Sequence, residues 1–176
     1  MYLSSQRVAG IPATINDTTP DQVLQCDFNV NSALGMANTR LIRFLCKFEP
    51  RFFVLNVLLR FWCKQVARLN KPDALSSYAL SNMILFYCQM RKPALLPPVD
   101  YFVKLSTSPK IVNDWRCDFC KDRSRIDFRT ANTESIMQLF VGFFRYYRDF
   151  NFLQFKISTR FGRAWRLRNN RTRRQL

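Results

Sequence analysis

The chain has 176 residues, is 48% hydrophobic and 15% aromatic with 17 Phe, and carries a formal net charge of +16. Its length fits one domain or one piece of a two-lobed protein, and its apolar content excludes wholesale disorder. The charge points to an anionic partner, nucleic acid first, although a ribosome-like basic protein has the same balance.

There is no histidine, which excludes His-based acid–base catalysis, Ser-His-Asp and Cys-His nucleophiles and His-ligated metals. Chemistry here must use carboxylates, Lys, Tyr, Cys or metal ions held by oxygen. Four of the six cysteines lie in apolar runs, as buried thiols do in reducing compartments. Cys117 and Cys120 have knuckle spacing without a second pair, so two ordinary thiols are the better reading. No apolar run approaches ~18 residues, so no membrane span is expected.

In chain order, residues 8–15 read as a short strand, 16–21 as a turn and 23–30 as a second strand carrying Asp27. Residues 33–48 place Leu34, Ala37, Leu41, Phe44, Leu45 and Phe48 at helical spacing. Glu49-Pro50 ends that helix. Residues 51–69 predict a second helix, apolar almost all round and therefore central. Asn70 to Asp73 breaks it, and Ser76 or Ser77 caps a third helix to about Met90. Arg91 to Pro98, with three prolines, predicts an extended crossing. Residues 101–129 are poorly periodic. Asn132-Thr133-Glu134 is expected to cap a fourth helix through Tyr147, and residues 150–158 alternate as a strand does. Ala164 to Leu176 holds five arginines and no acid, and reads as a solvated tail.

Several blocks carry chemistry: Cys26-Asp27-Phe28-Asn29-Val30-Asn31, Asn38-Thr39-Arg40, Arg60-Phe61-Trp62-Cys63-Lys64, Leu75-Ser76-Ser77-Tyr78-Ala79 and Asn132-Thr133-Glu134. Taken singly, each has a plain reading. Asp27 can cap the next helix, Asn38 and Thr39 can form a polar helix surface, Arg60 and Lys64 can be snorkelling cations, and Ser77-Tyr78 can be a cap followed by a core aromatic. In this order and spacing the blocks resemble the template-independent RNA nucleotidyltransferases, the poly(A) polymerases and terminal uridylyltransferases. The stretch around Asp122 to Ile126 is most similar to the mitochondrial and speckle branches.

The resemblance implies a mainly α (α+β) fold, a helical central domain with a few remnant strands of the nucleotidyltransferase lobe. It implies residues 1–31 as that remnant, 32–131 as the helical domain, 132–163 as part of the poly(A)-polymerase-associated module and 164–176 as a basic tail. It implies addition of nucleotides to an RNA 3′ end from ATP, with UTP second, and release of pyrophosphate. Asp27 would be the catalytic carboxylate that binds Mg2+ or Mn2+, Asn38 with Thr39 beside it would meet the ribose, Arg60 and Lys64 the triphosphate, Ser77 the same phosphates, and Tyr78 the base. An intracellular, reducing compartment is implied, with mitochondrion, nucleus and cytoplasm all open, as is the oligomeric state.

The departures are also informative. The family's Asp-x-Asp pair and Gly-Ser turn, several tens of residues before the third carboxylate, have no counterpart in the 26 residues before Asp27. Asp17 and Asp21 are four apart in a turn, whereas i, i+2 on a strand would put both carboxylates on one face. The late Asp-Pro-Phe segment is also missing. The expectation is the middle of such an enzyme, cut at both ends, or a non-catalytic RNA- or protein-binding remnant of one.

Overall fold

In a computed structural model, residues 32–65 and 75–167 are described; Asp27 and both N-terminal strand expectations lie outside them. The elements are α1 (Ala33–Phe48), α2 (Pro50–Gln65), α3 (Ser77–Met90), α4 (Val99–Lys104), β1 (Ile111–Val112), β2 (Trp115–Arg116), a 3-10 turn (Arg123–Arg125), α5 (Ile136–Arg148), β3 (Phe155–Ser158) and β4 (Arg163–Arg166). The fold is mainly α with two antiparallel two-stranded ribbons, β1–β2 and β3–β4.

α1 begins where Ser32 Oγ accepts the Gly35 N–H at 3.2 Å. It ends at Glu49, which is extended (φ −129°, ψ 102°) as a residue before proline prefers. Pro50 then opens α2 at a position where its missing N–H costs nothing. The Glu49 carboxylate accepts the Arg51 N–H at 3.1 Å, an anion at a helix N-terminus.

The central helix is α3, not α2. α2 is apolar all round, but it buries a single stripe, Phe52, Leu55, Asn56 and Leu59, while Phe53, Val57 and Phe61 are at least half exposed. α3 buries eight consecutive-turn positions from Leu80 to Gln89, with α2, α5 and β3 packed around it. Leu95, Leu96 and Phe102 complete this core at zero exposure.

Two elements differ from expectation. The Asn132–Glu134 segment does not cap α5; Ser135 does, in a capping box in which Ser135 Oγ accepts the Gln138 N–H and Gln138 Oε1 accepts the Ser135 N–H at 2.7 Å. The tail reading starts too early, because Arg163–Arg166 pairs along Phe155–Ser158. All four β4 residues are exposed, which is why their composition reads as solvated.

Asn132 and Glu134 instead meet Arg51. Arg51 Nε and Nη2 donate to the Glu49 carboxylate at 2.9 and 3.2 Å, and Nη1 donates to the carbonyls of Asn132 (2.9 Å) and Glu134 (3.1 Å) and to Asn132 Oδ1 (3.2 Å). Asn132 Nδ2 donates onward to the Pro93 carbonyl and to Glu134 Oε2. Arg91, at the end of α3, closes the network on the Glu134 carboxylate. Five free thiols stand among the described residues. Burial pushes the Cys88 thiol well up, which makes it unreactive.

Arg51→Ala leaves the nearly buried Glu49 and Asn132 without their donor. It should destabilise the chain by about 3 kcal/mol, read as a lower urea midpoint by circular dichroism, and Arg51→Lys should recover less than half of that because an ammonium cannot reproduce the fork. The Arg91 hydrogen bonds, followed by that from Asn132, hold the Glu134 carboxyl below its usual range. A depressed carboxylate contributes stability above its unfolded value and loses it as pH falls through the folded one. Thermal stability should therefore drop from about pH 4.3 downward, and the drop should be smaller in Glu134→Gln.

Candidate nucleotide cleft

Asn38 and Tyr78 line one cavity of about 470 Å³. α1 brings Asn38 to it. α3 brings Ser76, Tyr78 and Asn82, because Ser76 Oγ caps the helix by accepting the Ala79 N–H at 3.1 Å and so aims its first turn inward. α4 supplies Val99 and Val103 as an apolar floor. The far wall is Trp115 to Phe119, and Thr159 and Arg160 come from the β3–β4 turn.

The walls are held by polar contacts. Asn82 Nδ2 donates to the Tyr78 carbonyl at 2.9 Å, and Thr159 Oγ1 donates to Asn82 Oδ1 at 3.3 Å. The Asp118 side chain is 6% exposed. Its carboxylate accepts Arg116 Nε at 3.0 Å and the Lys110 N–H at 2.9 Å, and the Arg116 guanidinium holds it well below the usual carboxylate range. Arg160 Nε reaches Asp100 at 3.4 Å across the rim.

The other expected site residues fall as follows. Arg60 Nη2 donates to Ser81 Oγ at 2.7 Å, and Ser81 Oγ lies 2.8 Å from Asn56 Oδ1 and 3.0 Å from the Ser77 carbonyl. Arg60 is thus tied to the first turns of α3 through nearly buried Ser81 and Asn56. Lys64, one turn further along α2, is exposed and makes no ion pair among the described residues. Ser77 starts α3 but does not line the cavity; its neighbour Ser76 does. Thr39 also lies outside the lining, with its hydroxyl donating to the Gly35 carbonyl at 3.0 Å. Asp27 lies outside the described residues.

Asn82, Trp115, Asp118 and Arg160 were not legible as cleft residues. Asn82 had one usable signal, standing i, i+4 from Tyr78 on the same helix face. Behind the Cys117–Phe119 wall lies a second cavity of about 420 Å³ with Arg40, Lys110, Lys121 and Arg125 at its margin. Among the described residues no group of three or more His, Cys, Asp or Glu side chains is placed to hold a metal ion.

No protein-family model matches the sequence. Among curated proteins, poly(A) RNA polymerase cid13 of Schizosaccharomyces pombe is 32% identical over 143 residues, 79% of this chain and 25% of that protein. Among solved structures, mtPAP in complex with ATPγS superposes with a TM-score of 0.75 at 26% identity, covering 82% of this chain and 32% of that one; mtPAP is also solved with GTP, UTP and CTP. A cytoplasmic RNA terminal U-transferase superposes with a TM-score of 0.66 at 30% identity, covering 81% and 44%. The chain spans about a quarter of the length of the curated relative and a third to under half of the structural ones. With ordered motifs, sequence and fold in agreement, the chain belongs to the template-independent RNA nucleotidyltransferases, the family of the poly(A) polymerases and terminal uridylyltransferases.

Proposed function

We propose that this chain forms the helical half of a nucleotide cleft for adding nucleotides to RNA 3′ ends, adenylate from ATP first and uridylate from UTP second. The observation that carries it is the meeting of Asn38 from α1 and Tyr78 from α3 in one cavity. A carboxamide both donates and accepts, which suits a ribose hydroxyl. The Tyr78 ring, 46% exposed at the start of α3, offers a face for a base. Arg60 and Lys64, spaced i, i+4, would hold phosphates as a fork and a point charge, with Ser77 and Thr39 as polar neighbours. Relatives solved with four different nucleotide triphosphates support a triphosphate ligand and leave the choice of base to residues beyond these.

The metal reading rests on Asp27 as a ligand of Mg2+ or Mn2+. The described residues do not fit a metal centre: Asp118, the cleft carboxylate, is taken up by Arg116 and the Lys110 N–H. Such metals would activate the attacking hydroxyl and stabilise the leaving pyrophosphate. What this chain's own cleft supplies is binding and orientation. Residues 1–31, 32–131, 132–163 and 164–176 are retained as the proposed division into lobe remnant, helical domain, associated module and tail. We infer an intracellular, reducing setting from the free thiols. No helix among the described residues is long and apolar enough to cross a membrane.

Titration of fluorescent ATP against the 176-residue protein checks the cleft. Asn38→Ala and Tyr78→Ala should each weaken binding about fivefold or more, and Arg60→Ala should weaken triphosphate binding more than nucleoside binding. Variants that bind as the parent does would overturn the assignment.

In primer extension with ATP or UTP and magnesium or manganese, the same protein should add no nucleotide. The resemblance assigns it a single metal-binding carboxylate, and one carboxylate cannot hold two ions in register for in-line attack. Extension that Asp27→Ala abolishes would show that further carboxylates act from positions the resemblance does not identify.

A further inference from the structure

The β3–β4 hairpin touches the cleft only through its turn, yet its outer face has a distinctive chemistry. Its register pairs Lys156 with Trp165 and Ser158 with Arg163. Side chains alternate along a strand, so these four share one face of the ribbon, and Phe155 and Ile157 take the other. That other face is half-buried and turns toward α3 and the Phe150 ring.

On the outer face the Arg163 guanidinium lies 3.7 Å over the Trp165 ring and 5.7 Å from the Phe161 ring. The two rings meet edge to face at 6.3 Å, and Phe161 and Trp165 remain 45% and 38% exposed. Residues 151–167 contain no acid, and among the described residues Lys156, Arg163 and Arg166 make no ion pair. Stacked planar groups flanked by uncompensated cations match bases flanked by phosphates. A protein partner would favour an apolar patch without this charge, and an A-form duplex keeps its base faces stacked away from such a platform.

The platform is also held rigid. The Thr159 carbonyl accepts the Val99 N–H at 3.1 Å and Gln89 Nε2 at 2.9 Å, and the Arg160 carbonyl accepts the Asp100 N–H at 2.9 Å. Gly162, at φ +58°, sits so close to Pro98 that a Cβ would lie 2.9 Å from its Cγ. The turn is therefore clamped to the start of α4, and its Thr159 and Arg160 stand on the rim that holds Asn38 and Tyr78.

We propose that Lys156, Phe161, Arg163 and Trp165 form a stacking platform for single-stranded RNA, which leads a 3′ end toward the cleft. The proposal rests on the RNA 3′-end reading of that cleft. It is tested by anisotropy of a labelled single-stranded RNA of about 15 nucleotides against the full 176-residue chain across a salt series, beside a duplex of the same sequence.

The parent should bind the single strand with a steep salt dependence. Trp165→Ala should weaken that binding about fivefold or more with the salt slope unchanged. Lys156→Ala with Arg163→Ala should lower the slope by about one. Duplex binding should not respond to Trp165→Ala.

A parent that binds single strands while all these variants match it would overturn the platform and leave the cleft reading intact. A parent that binds no RNA would overturn the cleft reading itself, and the platform with it. Should Trp165→Ala fail to fold by circular dichroism, photocrosslinking of a 5-iodouridine RNA to the parent decides: adducts on Phe161 or Trp165 support the platform, and adducts only elsewhere overturn it.

Discussion

One guanidinium organises the described fold. Arg51 uses all three of its nitrogens, two on the Glu49 carboxylate and one on the segment before α5. Glu49 is the joint between α1 and α2, so the same group that ends one helix and starts the next is locked to a segment some eighty residues away. Arg91 adds the end of α3 through Glu134, and Asn132 adds the Pro93 carbonyl. Four helices are thereby fixed at their ends, where packing alone leaves freedom to slide. A planar fork with five donors can satisfy a carboxylate and two carbonyls at once, and a lysine cannot. Pro50-Arg51 and Asn132-Thr133-Glu134 are two separate motifs in the sequence but halves of one network in space.

The position of the cleft follows from that anchoring. With α2 set against α3, Arg60 reaches Ser81, and the nearly buried Ser81–Asn56 pair seats the first turns of α3. Tyr78 is therefore presented on a braced helix start. On the opposite wall Asp118 restrains Arg116 and the strand before β1, so the Trp115–Phe119 segment is held without a metal or disulfide. Walls fixed before a ligand arrives lose less freedom on binding.

How much of this was legible in the sequence depended on the range of the forces involved. α1 has its expected bounds, and α3 starts at the Ser76 cap and ends at Met90, because period and capping are local. α2 was read as central from its apolar circumference, but periodicity tells which residues can be buried and not which neighbours arrive to bury them. α4 is only six residues, too short to show a period. The β1–β2 turn carried a signal that went unread: Asn113 and Asp114 both adopt positive φ (49° and 62°), as the commonest two-residue hairpin turn requires. Asn38 and Tyr78 were legible because they sit in short motifs on helices. Asp118 and Arg160 were not, since loops bring them to the cleft through contacts far apart in the chain. The two N-terminal strands and Asp27 lie outside the described residues.

The charge balance gains meaning once the ion pairs are placed. Of the eight acidic residues described, Glu49, Asp100, Asp118, Glu134 and Asp149 each pair with a Lys or Arg. Glu49, Asp118 and Glu134 are spent on bracing joints and loops, with side chains 10%, 6% and 24% exposed. Little negative charge remains to interrupt the outward field, so the +16 balance is expressed at the surface rather than averaged away. The same economy explains why basic residues lie beside aromatic faces: Arg123 over Phe48 at 4.3 Å, Lys121 over Phe119 at 5.5 Å and Arg163 over Trp165. With few carboxylates available, ring quadrupoles take the place of anions in positioning the cations. An aromatic partner orients a guanidinium without neutralising it, so these cations keep their full charge for a phosphate. A surface braced by carboxylates alone would have had the same folds and turns but a weaker outward field.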